Sequence, residues 1–286
     1  MPAGAMSRSA PVADLAAYER WPELLADVDA VVHLAARVHV MRDRSADPLS
    51  EFRKVNVHAA AALAAQAARA GVRRFLYVSS IKVNGEATPV GEFHADDPPG
   101  YVDPYGQSKW EAEQSLEEVA AAAGMDWLVV RPTLVYGPGV QGNFLSLLRC
   151  VHRGLPLPLG RVRNRRSLVS VYNLVDLLAR AIDHPAAAGQ RLLVKDAEDV
   201  SIGELVVRMA LAFDRAPRLL LSRPLFCPIR PSCCARKASR NGCSGLLSST
   251  RINRRSLAMA PPVSLDCALT RTCSWFEATS AAGKGP

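Results

Sequence analysis

Arg74-Phe-Leu-Tyr-Val-Ser-Ser80 is the stretch that decides the fold of this 286-residue chain. Its centre is apolar and rich in residues that favour strands, so it predicts a buried strand with two serines at its end. Helices are predicted on either side, over residues 48–70 and from Tyr105 to Ala123, and each ends before a glycine. A strand between two helices is typical of a parallel sheet, whose chemistry lies at the strand ends.

The rest of the first 221 residues continues this alternation of strands and helices. Further strands are predicted at Asp29–Ala36, Asp126–Arg131 and Arg191–Lys195, and further helices at Asn143–His152, 171–184 and 201–214. We therefore predict an α/β fold with a doubly wound, Rossmann-like parallel sheet that carries helices on both faces. His33, inside the first strand, is predicted to be a packed core residue rather than a ligand.

Tyr105 and Lys109 are four residues apart, so they project from the same face of the predicted helix. The pKa of a free phenol is about 10, and we expect the Lys109 ammonium to lower that of Tyr105. Ser80, at the strand end, could hold the same substrate oxygen. The three groups predict proton transfer to or from that oxygen, and oxidation of a carbon would then need a hydride carrier. A purely structural role for these residues is also open, because Tyr and Lys at this spacing are common on helices and serines often cap loops.

Composition places the chain among ordinary globular proteins, with 49% apolar and 22% charged residues. No stretch approaches the length of a membrane span, and the first residues lack an apolar signal core, so we expect a cytoplasmic protein without a membrane partner.

Residues 222–286 have a different composition from the rest of the chain. They carry ten of the Lys and Arg residues but only two of the Asp and Glu, together with six of the seven cysteines. Aromatic residues for stacking on bases are nearly absent and no C-x₂-C pair occurs, which argues against a nucleic-acid partner and a zinc site. We expect a poorly ordered or degenerate tail, with nucleic-acid binding through its charge as a weaker hypothesis.

Several longer motifs occur in a fixed order, and together they are more specific than any one of them. They are Val31-Val-His-Leu-Ala-Ala36, Val55-Asn56-Val57, Val78-Ser-Ser-Ile-Lys-Val-Asn-Gly-Glu86, Asp103-Pro-Tyr-Gly-Gln-Ser-Lys109, Arg131-Pro-Thr-Leu-Val-Tyr-Gly-Pro-Gly139, Asn143-Phe144 and Asn164-Arg-Arg-Ser-Leu-Val169. Over about residues 12–221 the chain thereby resembles the extended short-chain dehydrogenase/reductases of the NAD-dependent epimerase/dehydratase group.

The resemblance implies roles for individual residues. It implies Ser80, Tyr105 and Lys109 as the catalytic residues. Residues along the dinucleotide would be Asp14, Ala35, Ala36, Asn56, Ser79 and Pro132, with Tyr105 and Lys109 at the nicotinamide end. Asn143 and Arg166 would contact a nucleotide-sugar, Arg166 at its diphosphate. The alternative for residues 161–166 is a solvated basic loop.

The resemblance also implies a reaction. Dehydratases of the family usually carry an Asp-Glu pair where this chain has Ile81-Lys82, which argues against sugar dehydration. The segment that ends at Glu86 is most similar to those of bacterial 4-epimerases acting on UDP-hexoses or UDP-N-acetylhexosamines in surface-polysaccharide biosynthesis. The expected cofactor is NAD, with NADP left open, and a nucleotide-4-keto-sugar reductase is the alternative. Family members are often dimers, so a homodimer through the helices at 48–70 and 105–123 is possible, although packing on the sheet explains their alanines equally well.

Both ends of the chain depart from the family pattern. The glycine-rich loop that holds a pyrophosphate has no counterpart, since no glycine occurs between Gly4 and Gly71. We therefore expect the sheet to lack its first βαβ unit, and the chain to be poorly folded or to survive as an inactive remnant. The implied boundaries are 1–137 for a partial NAD-binding domain, 138–221 for a substrate-binding region within a small C-terminal lobe, and 222–286 for the divergent tail.

Overall fold

The computed structural model describes residues 20–38, 47–88, 91–220 and 264–281, together with the single residues 12, 15, 18 and 45. The helices in this part of the chain are α1 (Trp21–Leu25), α2 (Pro48–Arg53), α3 (Ala59–Arg69), α4 (Pro104–Ala123), α5 (Gly142–His152), α6 (Val171–Ala181), α7 (Ile202–Ala212) and α8 (Leu265–Ala281). The strands are β1 (Ala30–His33), β2 (Arg74–Val78), β3 (Asp126–Pro132), β4 (Leu134–Tyr136), β5 (Arg166–Ser170), β6 (Gln190–Val194) and β7 (Asp199–Val200).

Four parallel strands form the central sheet, in the order β1-β2-β3-β6. Side chains alternate along β2: Phe75 and Tyr77 pack in one cluster with α3 and α4, and Leu76 packs in another with α6. Helices therefore cover both faces, and the predicted doubly wound α/β fold is confirmed. The alanines of α3 and α4 pack on the sheet, where Ala64 and Ala67 are fully buried.

Most predicted elements lie within a few residues of the observed ones. The predicted helix over residues 48–70 is α2 and α3 joined by one π-helical turn, Lys54–His58. Gly71 and Gly124 follow α3 and α4 with φ angles of 78° and 65°, a conformation that favours glycine and ends a helix. The short helix α1 and the strands β4, β5 and β7 were not predicted.

A second, smaller sheet was missed entirely. Its order is β4-β5-β7, with β4 parallel and β7 antiparallel to β5. The helices α5, α7 and α8 share one apolar cluster beside it, to which α8 contributes Leu265, Leu269 and Phe276. For residues 265–281 the structure therefore differs from the poorly ordered tail that composition predicts, because these side chains give the helix a buried face. Residues 222–263 and 282–286 lie outside the described residues.

Two features, a membrane-spanning helix and a metal-binding cluster, are absent from the described residues. None of the helices there is long and apolar enough to cross a membrane. The same residues contain no group of three or more His, Cys, Asp or Glu side chains arranged to hold a metal ion.

His33 ends β1 and lies in the core, as predicted. It is 4% exposed, and its ring stacks on Tyr77 with the centroids 5.7 Å apart. Burial and, to a smaller extent, the nearby Lys109 ammonium together lower the pKa of His33 from 6.5 to about 4. The folded protein therefore holds this imidazole neutral well below the pH at which the unfolded chain protonates it.

This difference predicts a loss of stability in acid. As the pH falls below about 6.5, the unfolded chain binds the proton first, so the free energy of unfolding drops by about 2 kcal/mol by about pH 5 from His33 alone. Urea denaturation near pH 7 and near pH 5 should show a smaller drop for His33→Gln than for the natural chain. His94→Gln, at an exposed position, should keep the full drop. An equal drop in all three proteins would contradict the assignment.

Candidate active site

The start of α4 places Tyr105 beside the end of β2. The Asp103 carboxylate accepts a hydrogen bond from the Gly106 backbone N–H at 2.7 Å and so caps the helix. Pro104 occupies the first helical position, where its missing N–H costs nothing. Tyr105 is therefore fixed in the first turn, and Lys109 follows one turn later.

Ser80 and Tyr105 are brought together as the sequence predicts. Ser80 lies two residues after the end of β2 and caps the 3₁₀ turn Ile81–Val83, where its hydroxyl oxygen accepts the Lys82 backbone N–H at 3.2 Å. The Ser80 side chain lies close enough to Tyr105 to lower the pKa of the phenol. The phenol ring packs edge-on against Phe52 of α2, with the centroids 6.0 Å apart. Two hydroxyl groups thus converge where one substrate oxygen could contact both.

The acidity of Tyr105 differs from the sequence-based expectation. Burial raises the pKa of the phenol above its ordinary value of 10, because a phenolate would lose its hydration. The Ser80 side chain and the charge of Lys82 lower this pKa, whereas the Asp103 carboxylate raises it. The expected lowering of this pKa is therefore not observed, because burial outweighs the neighbouring positive charge.

Lys109 lies deeper, against the end of β2. Its side chain is buried, and Nζ donates a hydrogen bond to the Val78 carbonyl at 2.9 Å and lies 4.6 Å from the Tyr77 ring centroid. Burial lowers the pKa of Lys109 to about 8, and the Glu113 carboxylate opposes that shift. The bond to Val78 uses one of three N–H donors, so a ligand's hydroxyl groups could accept the other two.

Asn56 is buried, and its side chain links α4 to the loop that follows β1. Its Oδ1 accepts the Arg37 backbone N–H at 2.8 Å, and its Nδ2 donates to the Arg37 carbonyl at 3.1 Å. Nδ2 also donates to the Ser108 hydroxyl at 2.9 Å. The side chain lies in the π-helical turn, a feature common at functional sites. Asn56 therefore fixes the backbone next to Ala35 and Ala36.

Ser79 is part of a buried polar network that sequence reasoning missed. Its hydroxyl donates to Glu113 of α4, and that carboxylate pairs with Arg131 of β3 through bonds of 3.0 Å at Nε and 2.5 Å at Nη2. Arg131 Nη1 also donates to Asn84 Oδ1 at 2.9 Å. Glu113 and Arg131 are both at most 1% exposed. The network ties together the strand end that carries Ser80, the turn after it and α4.

The other residues assigned to the dinucleotide lie along the same edge of the sheet. Ala35 and Ala36 follow β1 and are exposed and half-buried, respectively. Pro132 is the last residue of β3 and is buried. Asp14 lies outside the described residues. Small side chains thus lie at the carboxyl ends of β1 and β3, on either side of β2.

Arg166 and Asn143 differ in their surroundings. Arg166 begins β5 and is 8% exposed, so the alternative of a solvated loop does not hold for it. Burial lowers the pKa of Arg166 to about 10, and the Glu86 carboxylate raises it. Glu86 also accepts a hydrogen bond from Lys82 Nζ at 2.8 Å, so Arg166 is linked electrostatically to the turn beside Tyr105. Asn143 is exposed in the first turn of α5.

Two features of this site had recognisable signals in the sequence. An arginine within the apolar strand 126–132 needs a buried carboxylate, and Glu113 lies one turn after Lys109 on the same helix face. The signal for Lys82 is that Ile81-Lys82 stands where the dehydratases of the family usually carry an Asp-Glu pair.

The comparisons agree with this geometry. A family model for the NAD-dependent epimerase/dehydratase family matches residues 7–203. A UDP-glucose 4-epimerase of Vibrio cholerae is 50% identical over 205 residues, which cover 71% of this chain and 62% of that protein. An N-acetyl-alpha-D-glucosaminyl-diphospho-ditrans,octacis-undecaprenol 4-epimerase of Escherichia coli O157:H7 is 29% identical over 219 residues, or 75% of this chain and 64% of that protein. The chain thus spans less than two thirds of the length of either relative.

Solved structures share the fold. The structure of MoeE5 in complex with UDP-glucose and NAD superposes with a TM-score of 0.72 at 24% identity, and the match covers 93% of this chain and 85% of that one.

Proposed function

Because the chain belongs to the NAD-dependent epimerase/dehydratase family, we propose that it is a nucleotide-sugar 4-epimerase that oxidises and re-reduces C4 of a UDP-hexose or UDP-N-acetylhexosamine. The observation that carries the proposal is the proximity of the Ser80 and Tyr105 side chains near the end of β2, with the Lys109 ammonium bonded to the Val78 carbonyl one helical turn further along α4. The likeness to the Vibrio cholerae 4-epimerase supports the choice of reaction.

The residues at this edge fit a dinucleotide. Lys109 offers two N–H donors for ribose hydroxyls, and Ala35, Ala36 and Pro132 leave space along the strand ends. NAD would supply the hydride acceptor for oxidation at C4 and return that hydride in the second half of the reaction. We assign no residue to the pyrophosphate, because the glycine-rich loop that serves this purpose has no counterpart among residues 20–88 of the described chain.

Tyr105 and Ser80 would handle the proton. Tyr105 accepts the proton of the C4 hydroxyl during oxidation and gives it back during reduction, while Ser80 holds the same oxygen. A raised pKa keeps the phenol protonated at neutral pH, so neighbouring positive charge is needed to form the phenolate that accepts the C4 proton. Lys109 anchors the cofactor ribose in this scheme.

Arg166 is the proposed contact for the substrate diphosphate. Its guanidinium keeps its charge at neutral pH, since its pKa is about 10, and its fork of donors matches phosphate oxygens. Asn143 is the proposed second contact, at the start of α5. We further propose a cytoplasmic enzyme of surface-polysaccharide biosynthesis, and a homodimer through α2, α3 and α4.

The function predicts a measurable conversion. The purified 286-residue chain, incubated with NAD and UDP-glucose, should produce UDP-galactose, separated by chromatography, without net production of NADH. UDP-N-acetylglucosamine, assayed in parallel, tests the alternative substrate. Consumption of NADPH with a 4-keto sugar, together with no epimerisation of either substrate, would replace the proposal by the reductase. No reaction in any of these assays would contradict it and would favour the inactive remnant that the missing glycine-rich loop predicts.

A further inference from the structure

Two segments next to α5 and α7 run side by side at the protein surface. Residues 153–163 follow α5, and residues 218–220 lie beyond the end of α7. The Leu157 backbone N–H donates to the Arg218 carbonyl at 2.9 Å, and the Leu220 N–H donates to the Leu157 carbonyl at 2.8 Å. These hydrogen bonds join the two segments into one short parallel ribbon.

The ribbon has a buried side and an exposed side. Leu157 is 2% exposed, and Leu219 packs against the apolar cluster that α5, α7 and α8 share. Because successive side chains of an extended segment point in opposite directions, Arg218 and Leu220 lie on the side away from that cluster. Both are exposed, Leu220 at 47%.

The long exposed side chains of the two segments are all arginine or leucine. Leu155 is 40% exposed and follows Arg153 by two residues, and Arg161 follows Gly160, whose backbone N–H donates to the Leu220 carbonyl at 3.1 Å. The arginine–leucine surface is defined here as Arg153, Leu155, Arg161, Arg163, Arg218 and Leu220.

The positive charge of this surface has little acidic counterpart. Residues 127–175 contain seven arginines and no Asp or Glu. Glu198, which precedes α7, pairs with Arg208 at 2.9 Å. Asp214 is exposed four residues before Arg218, so the four arginines of the surface still outnumber it. The surface therefore attracts anions.

The two residue types together favour an anionic lipid surface over a nucleic acid. Arginine binds phosphate in either partner, but proteins hold single-stranded nucleic acid by stacking bases on aromatic rings, and neither segment contains an aromatic residue. Exposed leucines beside basic residues are typical of proteins that rest at the boundary between lipid headgroups and acyl chains. Arg166, the proposed contact for a nucleotide-sugar, is buried and is not part of the surface.

We propose that the arginine–leucine surface docks this chain on membranes that contain anionic lipids, with its arginines at the headgroup phosphates and its leucines at the acyl boundary. The expectation of no membrane partner came from the lack of a membrane span, which peripheral docking does not need. Arg163 precedes Arg166 by three residues, so docking would hold the proposed diphosphate contact near the headgroups.

Vesicle binding by the full 286-residue chain tests the proposal without NAD or substrate. The chain is mixed with vesicles of phosphatidylglycerol and phosphatidylcholine, or of phosphatidylcholine alone, and the bound fraction is measured by flotation. We expect binding to the anionic vesicles only, and weaker binding as salt is added. Arg161→Gln/Arg163→Gln should weaken it by about 25-fold, since one arginine near such a surface contributes about fivefold in affinity.

Leu155→Ser/Leu220→Ser tests the contact with lipid beyond the headgroups. This variant keeps every charge, so it should weaken vesicle binding by about tenfold and leave any retention on a DNA duplex unchanged. Urea denaturation checks that each variant stays folded. Vesicle binding equal to that of the natural chain would overturn the proposal, and stronger retention on DNA than on vesicles would assign the arginines to a nucleic acid instead.

Arg69→Gln/Arg73→Gln is the matched control. Arg69 is exposed at the end of α3, and Arg73 precedes β2 in an exposed ion pair with Asp183, so the variant removes the same charge away from the arginine–leucine surface. It should bind vesicles like the natural chain. Equal losses in both arginine variants would overturn the proposal, as would anionic vesicles that the natural chain does not bind. Failure of the epimerase assay alone would leave the vesicle results intact.

Discussion

Replacing Tyr105 by phenylalanine is expected to lower kcat for conversion of UDP-glucose by about 10²–10⁴-fold. The variant keeps the ring that packs against Phe52 and loses only the hydroxyl that lies near Ser80. Without that hydroxyl, no side chain is placed to accept the C4 proton. The free energy of unfolding should change by only about 1 kcal/mol, the value of one hydrogen bond.

Tyr101→Phe is the control for Tyr105→Phe. Tyr101 precedes α4 by a few residues and is half-buried like Tyr105, but it has no hydrogen bond with Ser80. Its variant should retain nearly all the activity. If Tyr105→Phe also retained it while folding normally, proton transfer would have to be assigned to another group.

The largest expected effect on stability is that of Glu113→Ala. Glu113 and Arg131 form a pair that is almost completely buried, so removal of the carboxylate leaves the guanidinium charged without its partner. Breaking such a pair costs about 3–5 kcal/mol, whatever the net value of the intact pair. The loss of the Ser79 acceptor adds to this cost. Urea denaturation near pH 7 measures it.

Glu111→Ala is the matched control on the same helix. Glu111 also pairs with an arginine, Arg53, at 2.6 Å, but the two side chains are 25% and 41% exposed. An ion pair open to solvent contributes only about 0–1 kcal/mol, so this variant should unfold at almost the same urea concentration as the natural chain. Equal midpoints for Glu111→Ala and Glu113→Ala would show that the buried network does not stabilise the fold.

The elements that the sequence predicts well are those with strong local signals. β2 is a short apolar run, and α4 has an acidic cap, an early proline and a final glycine, so their bounds agree with the structure. The second sheet lacks such signals. Its strands are short, and β7 has only two residues, so pairing partners distant in the chain decide their conformation rather than local pattern.

The features of the candidate site also differ in how well the sequence predicts them. The approach of Ser80 to Tyr105 follows from a strand end and a helix start, which the sequence shows. The distribution of charge does not follow from spacing along one helix: Lys109 lies one turn from Tyr105 but bonds to the Val78 carbonyl, while Lys82, distant in sequence, pairs with Asp103 at the start of that helix. The direction that each lysine side chain takes in the folded chain therefore decides which group its charge contacts.

The central claim, that C4 is oxidised and then reduced by the same hydride, is tested most directly with UDP-glucose that carries deuterium at C4. The 286-residue chain is incubated with this substrate and NAD in ordinary water, and the UDP-galactose formed is analysed by mass spectrometry. We expect the product to retain the deuterium, because the hydride leaves and returns without exchange with water. Loss of the label to solvent, or no conversion at all, would contradict the account.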